Sequence, residues 1–337
     1  MPLSVYLSRH VWLGRGATAC LLWPLTLLSR VWLIVSAVLT KLGVRPATRL
    51  PVPVLVVGNV VAGGTGKTPV VISLVEFFKA SGWQPGVIAR AYGTDSEPVR
   101  EVQTDSPAQE SGDEPLLIKQ RCNVPVFTGR ERSKAAQALL QAYPHTRLII
   151  SDDGLQHHAL MHDMAICVFD DRGLGNGWLL PAGPLREPWP RLPQPGVVQY
   201  VLHTGKQPFE NSLAAKRQLS LSARNALGEQ RPLSNWQDCQ VQALAAIAQP
   251  HVFFAALEKA GLHLQQTHVF ADHADLSQWI PADDAPVFCT EKDAVKLWPH
   301  LPQVWAVPLD CTLPALWLDQ LLADVQRLSL VHGQKTS

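Results

Sequence analysis

Val52 to Pro69 reads VPVLVVGNVVAGGTGKTP, and a periodic apolar segment from Val70 to Ala80 follows it. A β-branched run ending at Gly58, then a glycine turn, then a helix is the context that a phosphate-binding loop requires. Glycines let the amides of Gly63, Gly64, Thr65, Gly66 and Lys67 wrap an oxyanion, and the helix N-terminus adds partial positive charge. Lys67 can then reach the β and γ phosphates of a nucleotide, and Thr68 can ligate Mg²⁺. Pro69 falls in the first helical turn, where its missing N–H costs little. The strict pattern G-x-x-x-x-G-K-[ST] would put glycine at position 61, where this chain has Val61.

Downstream, apolar runs at Gly86 to Ala89, Val124 to Phe127, Leu148 to Ile150, Ala165 to Phe169 and Val197 to Leu202 alternate with helical stretches such as Glu131 to Gln141. This alternation predicts a mainly parallel sheet. Leu148 to Ile150 runs into Ser151-Asp152-Asp153-Gly154, which puts carboxylates at the C-terminal end of a buried strand, where an open α/β sheet binds its ligand. One of those acids would hold Mg²⁺ directly or through water. His157, His158 and His162 lie close by, but no third ligand is spaced to complete a zinc site, so polar contacts fit them better. After about residue 196 a second α/β unit is expected, with strands at Gln242 to Ile247, Val287 to Cys289 and Val304 to Val307. A helix from His251 to Lys259 would be capped near Gly261, and the tail would fray from Gly333.

The chain has 337 residues, 47% hydrophobic and 17% charged, long enough for about two domains and lean in charge for a soluble protein. Lys plus Arg (29) balances Asp plus Glu (28), so no global basic field argues for a nucleic-acid partner. Six scattered cysteines form no Cys-x-x-Cys pair and read as reduced thiols of the cytosolic side. Gly16 to Thr40 carries one charge, Arg30, and one proline, Pro24, between Arg9 and Arg15 on one side and Lys41, Arg45 and Arg49 on the other. Two short apolar runs meeting at Arg30 fit a marginal span or a helix lying in the bilayer interface. A cleaved signal and a buried hairpin are the other readings of the same residues.

Several separated blocks resemble the tetraacyldisaccharide 4'-kinase family, which acts in the lipid A pathway of Gram-negative bacteria. They are Val57-Gly58-Asn59 with Gly63 to Pro69, Ala89 to Gly93, Gly112-Asp113-Glu114-Pro115, Ser151 to His157, Gly175 to Pro188, Phe270-Ala271-Asp272-His273, and Thr290 to Lys296. The family pattern has glycine where Ala91 stands, and different small or β-branched residues at Val61 and Ala62. The resemblance implies an α/β fold. Its core would be P-loop NTPase-like with a mainly parallel sheet (50–195), followed by a smaller α/β domain (196–330) and preceded by a membrane-associated helical segment (1–49). It implies transfer of the γ-phosphoryl of ATP to the 4'-hydroxyl of tetraacyldisaccharide 1-phosphate on the cytoplasmic face of the inner membrane; the chain is expected to act as a monomer. By the same resemblance Asp113 is the catalytic carboxylate, His273 its partner and Lys67 the phosphate-binding cation. Thr68, Asp152, Asp153 and Glu187 fall near Mg²⁺, and Arg90, Tyr92, Gln156 and His157 near the glycolipid.

Sequence chemistry alone leaves more than one reading. Asp113 lies in an acidic stretch, Thr104 to Glu114, that reads as an exposed loop, and nothing in the spacing selects His273 from twelve histidines. A membrane-bound P-loop switch acting on a protein partner is the competing function. The guanine-reading Asn-Lys-x-Asp spacing of a GTPase is missing from Thr290-Glu291-Lys292-Asp293.

Overall fold

The computed structural model describes residues 11–41, 47–90, 98–157, 159–192 and 194–334, so Tyr92, Ala91, His158, Arg9 and Arg45 lie outside the described residues. Val54–Gly58 occupies the middle of an eight-stranded sheet, buried at every position and flanked in parallel by Leu148–Asp152 and Met164–Phe169. A strand covered on both faces can be apolar throughout, which is why this run does not alternate. Beyond Leu148–Asp152 lie Pro85–Ala89, Val126–Thr128 and an antiparallel edge, Arg100–Glu101. Beyond Met164–Phe169 lie Val198–His203 and Leu213–Ala214, both parallel. The chain leaves Gly58 toward one side of the sheet and later crosses to the other, so the strand order reverses there. A crevice opens at the carboxyl ends of the strands at such a point.

Sheet membership does not follow the boundary expected at 195/196. Val198–His203 pairs along its whole length with Met164–Phe169, so the first sheet runs past that point. A two-stranded antiparallel connector, Lys216–Leu219 with Leu309–Thr312, then leads out to a second lobe and back. The second sheet runs in the order Gln230–Pro232, Ser222–Arg224, Trp305–Val307, Val287–Thr290, Gln240–Ala245, His263–Val269. Its helix Pro250–Lys259 ends where Gly261 takes φ +94°, as the sequence led one to expect. The last helix, Ala315–Gln334, includes Gly333 and returns to the first lobe. Trp317, Leu321 and Val325, spaced four apart, bury one stripe of it in the core that also holds Val70, Leu74 and Ile166. The second lobe is therefore an insertion between the first sheet and its closing helix. An apolar pattern reports that a face is buried, not which sheet buries it. Leu321→Ala should cost about 2–5 kcal/mol in urea unfolding, the usual penalty for emptying a well-packed site, because Leu321 is wholly buried.

At the N-terminus, helices Ala17–Leu22 and Thr26–Lys41 run into one another through a single 3-10 turn, Trp23–Leu25, that contains Pro24. The α-helical hydrogen bonding thus tightens at the proline rather than at Arg30, because the ring removes a helical donor whereas an arginine does not. Ala17–Ser36 is long and apolar enough to cross a membrane by length and composition. One seam of this segment rests on the protein. Thr26 is buried, the Ser29 hydroxyl donates to the Leu180 carbonyl at 2.8 Å, and Leu33 packs against the core face containing Val54 and Leu160. Leu21, Leu25, Leu28, Val31, Trp32 and Ile34 remain exposed, which does not fit the buried-hairpin reading.

Candidate active site

Gly63 (φ +94°) and Gly66 (φ +79°) take left-handed backbone that a side chain would strain, and Gly66 opens the helix Lys67–Ala80. Asn59 ties the loop from within, its Nδ2 donating to the Gly63 carbonyl and to the Thr65 hydroxyl, both at 3.2 Å. Val61 is buried and makes an antiparallel bridge to Leu185, while the Ala62 amide donates to Pro184 at 2.8 Å. Position 61 is therefore an extended, packed residue in this chain, which accounts for valine where the strict pattern has glycine.

Three residues that sequence reasoning missed hold the loop from outside. Arg172, paired with Asp170, donates to the carbonyls of Ala62 (3.3 Å) and Gly64 (2.8 Å). The Thr204 hydroxyl donates to the Thr65 carbonyl at 2.9 Å. Arg217 donates to the Thr204 carbonyl at 3.2 Å and lies against Gly66. Their one signal in the sequence was position: Arg172 and Thr204 sit just past the ends of strands that a parallel sheet aligns with Gly58.

Asp152 closes its strand, and Asp153 follows at φ +49°. Lys67 Nζ is 3.6 Å from Asp153, whose carboxylate also accepts from Arg186 at 3.0 Å. Burial alone would raise the Asp153 carboxyl, but the charges of Lys67, Arg186 and Arg132 outweigh it and hold the group below its usual value. Arg132 fixes the turn by donating to the backbone carbonyls of Asp152 (3.1 Å) and Asp153 (2.7 Å). Asp152 behaves oppositely. Burial, aided by the charge of Glu114, pushes its carboxyl up to about 7. Its Oδ1 is buried and meets no hydrogen-bond partner among the described residues.

Gln156 bridges two other expected residues, donating to the Asn59 carbonyl at 3.0 Å and to Glu187 at 2.8 Å. The second oxygen of Glu187 is 3.3 Å from Arg191. His157 is half-buried in the turn after Gly154, and Arg90 is exposed just beyond strand Pro85–Ala89, at the same edge of the sheet. Among the described residues the acids do not close into a metal cage of their own. Mg²⁺ needs none, since it usually takes one or two carboxylates and completes its shell with phosphates and water. A buried carboxylate with an unmet oxygen, one residue from a lysine-paired one, is a donor set suited to that ion.

Asp113 is not in an exposed loop. Gly112, at φ +84°, turns the chain so that Asp113 begins the helix Asp113–Cys122, with its side chain nearly buried and accepting from the Glu114 amide at 3.0 Å. Its carboxylate meets Nδ1 of His273 at 3.0 and 3.1 Å, across 160 positions of sequence. Two cations of the helix Glu291–Leu297 stand behind the pair, Lys292 at 3.8 Å and Lys296 at 3.9 Å from Asp113. Burial would raise the Asp113 carboxyl, but the His273 hydrogen bond and the charges of Lys292, His273 and Lys296 prevail and lower it. The hydrogen bond to Asp113 raises His273 against burial and Lys292.

The signs define a stability window. A lowered Asp113 contributes stability that is present above its unfolded value, about 3.9, and lost as pH falls through the folded one. A raised His273 contributes below about 6.5 and loses it as pH rises through its folded value. The melting-temperature gap between wild type and Asp113→Asn should accordingly be widest between about pH 4 and 6.5. A gap that stays flat across that range and beyond would show that the pair does not titrate as described.

The glycine loop and the acid strand make this a P-loop nucleotide-binding protein. Comparison with known proteins narrows the class. A family profile for tetraacyldisaccharide-1-P 4'-kinase matches residues 18–326. The tetraacyldisaccharide 4'-kinase of Acidovorax sp. (strain JS42) is 49% identical over 332 residues, covering 97% of this chain and 96% of that protein. That of Azoarcus sp. (strain BH72) is 40% identical over 335 residues, covering 96% and 95%. The crystal structure of LpxK from Aquifex aeolicus in complex with ATP superposes with a TM-score of 0.80 at 26% identity, covering 92% of this chain and 99% of that one. The chain belongs to the tetraacyldisaccharide-1-P 4'-kinase family.

Proposed function

We propose that the chain transfers the γ-phosphoryl group of ATP to the 4'-hydroxyl of tetraacyldisaccharide 1-phosphate, with Asp113 as the base that receives the hydroxyl proton. The carrying observation is the Asp113–His273 contact at 3.0 Å, next to a Glu114 whose charge acts on Asp152 of the nucleotide site. Phosphoryl transfer has a loose transition state, so positioning and charge neutralisation supply most of the acceleration. Lys67 and the loop amides would cradle the β and γ phosphates. Mg²⁺, held by Asp152 and Thr68 with Asp153 or Glu187 within reach, would neutralise charge on the phosphate oxygens. As the sugar oxygen bonds to phosphorus and the bond to ADP breaks, Asp113 accepts the proton and His273, bonded through Nδ1, keeps the carboxylate aimed. Arg90, Tyr92, Gln156 and His157 are proposed to bind the glycolipid.

The exposed apolar side of the N-terminal helices supports contact with the cytoplasmic leaflet of the inner membrane. The opposite seam is covered by the protein itself, which favours a helix lying in the interface over one that crosses it. Replacing Leu21, Leu28 and Ile34 together by Ser should release the protein from sedimenting lipid vesicles by about tenfold or more, each buried aliphatic side chain being worth about 1.5–3 kcal/mol, with ATP affinity retained. Unchanged sedimentation would remove this face from the account.

The function itself is tested by incubating detergent-solubilised protein with ATP, Mg²⁺ and tetraacyldisaccharide 1-phosphate and following the lipid by mass. A gain of one phosphate is expected. ATP hydrolysis with an unaltered lipid would favour the switch reading instead.

A further inference from the structure

Lys292 occupies an unusual place. Its side chain is largely buried, and its ammonium is 3.0 Å from Asp272, 3.3 Å from Glu114, 3.3 Å from Nε2 of His273 and 3.8 Å from Asp113. Asp113 and Glu114 belong to the nucleotide lobe, whereas Asp272, His273 and Lys292 belong to the inserted one. An ammonium has three protons to donate and cannot accept. Asp272, Glu114 and the imidazole Nε2 therefore match its three donors.

We propose that Lys292 is a positioning residue for phosphoryl transfer: by donating to Nε2 of His273 while neutralising carboxylates of both lobes, it fixes the imidazole as the Nδ1–H tautomer that faces Asp113. This rests on the reading of Asp113 and His273 as the pair that activates the acceptor hydroxyl.

Three features of this junction call for such a residue. His273 sits at φ +61°, a left-handed conformation uncommon for a residue with a Cβ, which its neighbours must help to hold. Its side chain is 45% exposed, so the ring's orientation depends on polar contacts rather than on close packing. Three carboxylates, Asp113, Glu114 and Asp272, converge on the Lys292 ammonium beside this ring, and without that cation they would repel one another across the junction of the lobes. The remaining charged groups do not substitute for Lys292. Lys296 is 3.3 Å from Asp293 and donates to the Ala274 carbonyl, reaching Asp113 at 3.9 Å and acting on Asp275. Glu291, on the same helix, is taken by Arg121 and Arg224, each at 2.9 Å. Lys292 brings a donor to Nε2 at 3.3 Å.

The consequence for protonation has a definite sign. The Lys292 charge opposes protonation of His273 and favours the ionised Asp113. Removing it lets His273 protonate at higher pH and lets Asp113 hold its proton to higher pH, so the acid limb of activity moves up.

The test uses full-length Lys292→Met and Lys292→Arg, His273→Ala and the double variant Lys292→Met with His273→Ala. Turnover is measured against pH, with ATP affinity and thermal melting as controls. Lys292→Met should lower kcat by about 10- to 100-fold, the scale of a small misplacement of a reacting group, with the ATP KM changed less than about twofold and the acid limb displaced upward. Lys292→Arg, which keeps the charge, should hold the limb near its wild-type position. In the His273→Ala background, at pH values above the acid limb where Asp113 is ionised in every variant, the Lys292→Met change should cost little more, because the aiming of Asp113 runs through one imidazole. An equal loss in both backgrounds with an unmoved pH profile would overturn the inference while leaving the pair intact. A His273→Ala enzyme with undiminished turnover would overturn the reading of the pair, and this inference with it. A Lys292→Met protein too unstable to assay leaves the decision to Lys292→Arg, whose pH limb must stay in place for the inference to hold and whose displacement rejects it.

Discussion

Asp113→Asn should lower kcat by about 10²–10⁴-fold, the usual contribution of a positioned base, while the ATP affinity stays near that of wild type. The amide keeps the size of the carboxylate and can still accept from the Glu114 amide, so the start of the helix Asp113–Cys122 is retained. What it loses is proton affinity. The side-chain partners of Asp113 are His273, Lys292 and Lys296, all outside the glycine loop, so the nucleotide should not register the exchange. Steady-state kinetics on a variant with a cooperative thermal melt decide the matter. Turnover within a few-fold of wild type would remove Asp113 from the role of base.

Lys67→Ala should cut kcat/KM by about 10²–10³-fold or more, the scale of deleting one preorganised charge or donor from a transition state, and should weaken ATP binding as well. Lys67 lies at the first turn of its helix with a nearly buried side chain, so its ammonium is held where the glycine loop would present phosphate oxygens. In its absence Asp153 keeps its ion pair with Arg186. The loop itself should keep its shape, because Asn59, Arg172 and Thr204 grip its carbonyls and the Thr65 hydroxyl independently of Lys67. Calorimetry with an ATP analogue and an unchanged melting curve separate this local loss from unfolding. Wild-type affinity in the variant would place the phosphates elsewhere.

How much of this was legible depended on distance along the chain. The strand, loop and helix from Val54 to Ala80 are contiguous, and their apolar run, glycines and lysine carry their own geometry. The placement of Asp152 and Asp153 at a strand end could be read for the same reason. The pairing of Asp113 with His273 could not be obtained from spacing, because 160 positions intervene; it followed from resemblance to the family. Chemistry read locally pointed the other way, taking Asp113 for a solvated acid, since burial behind Lys292 and Lys296 is a property of the assembled lobes. The terminal helix and the strand Val198–His203 show the same limit: their patterns announce a buried face but not the partner. Lys292 lay in a recognised block without a role, because the meaning of a lysine depends on which acids surround it.

The most direct test of the account is a crystal structure with a non-hydrolysable ATP analogue and Mg²⁺. The analogue's terminal phosphate should lie on the amides of residues 63–67 and on Lys67, with the metal on Asp152. An empty glycine loop with the analogue bound at another site would contradict it.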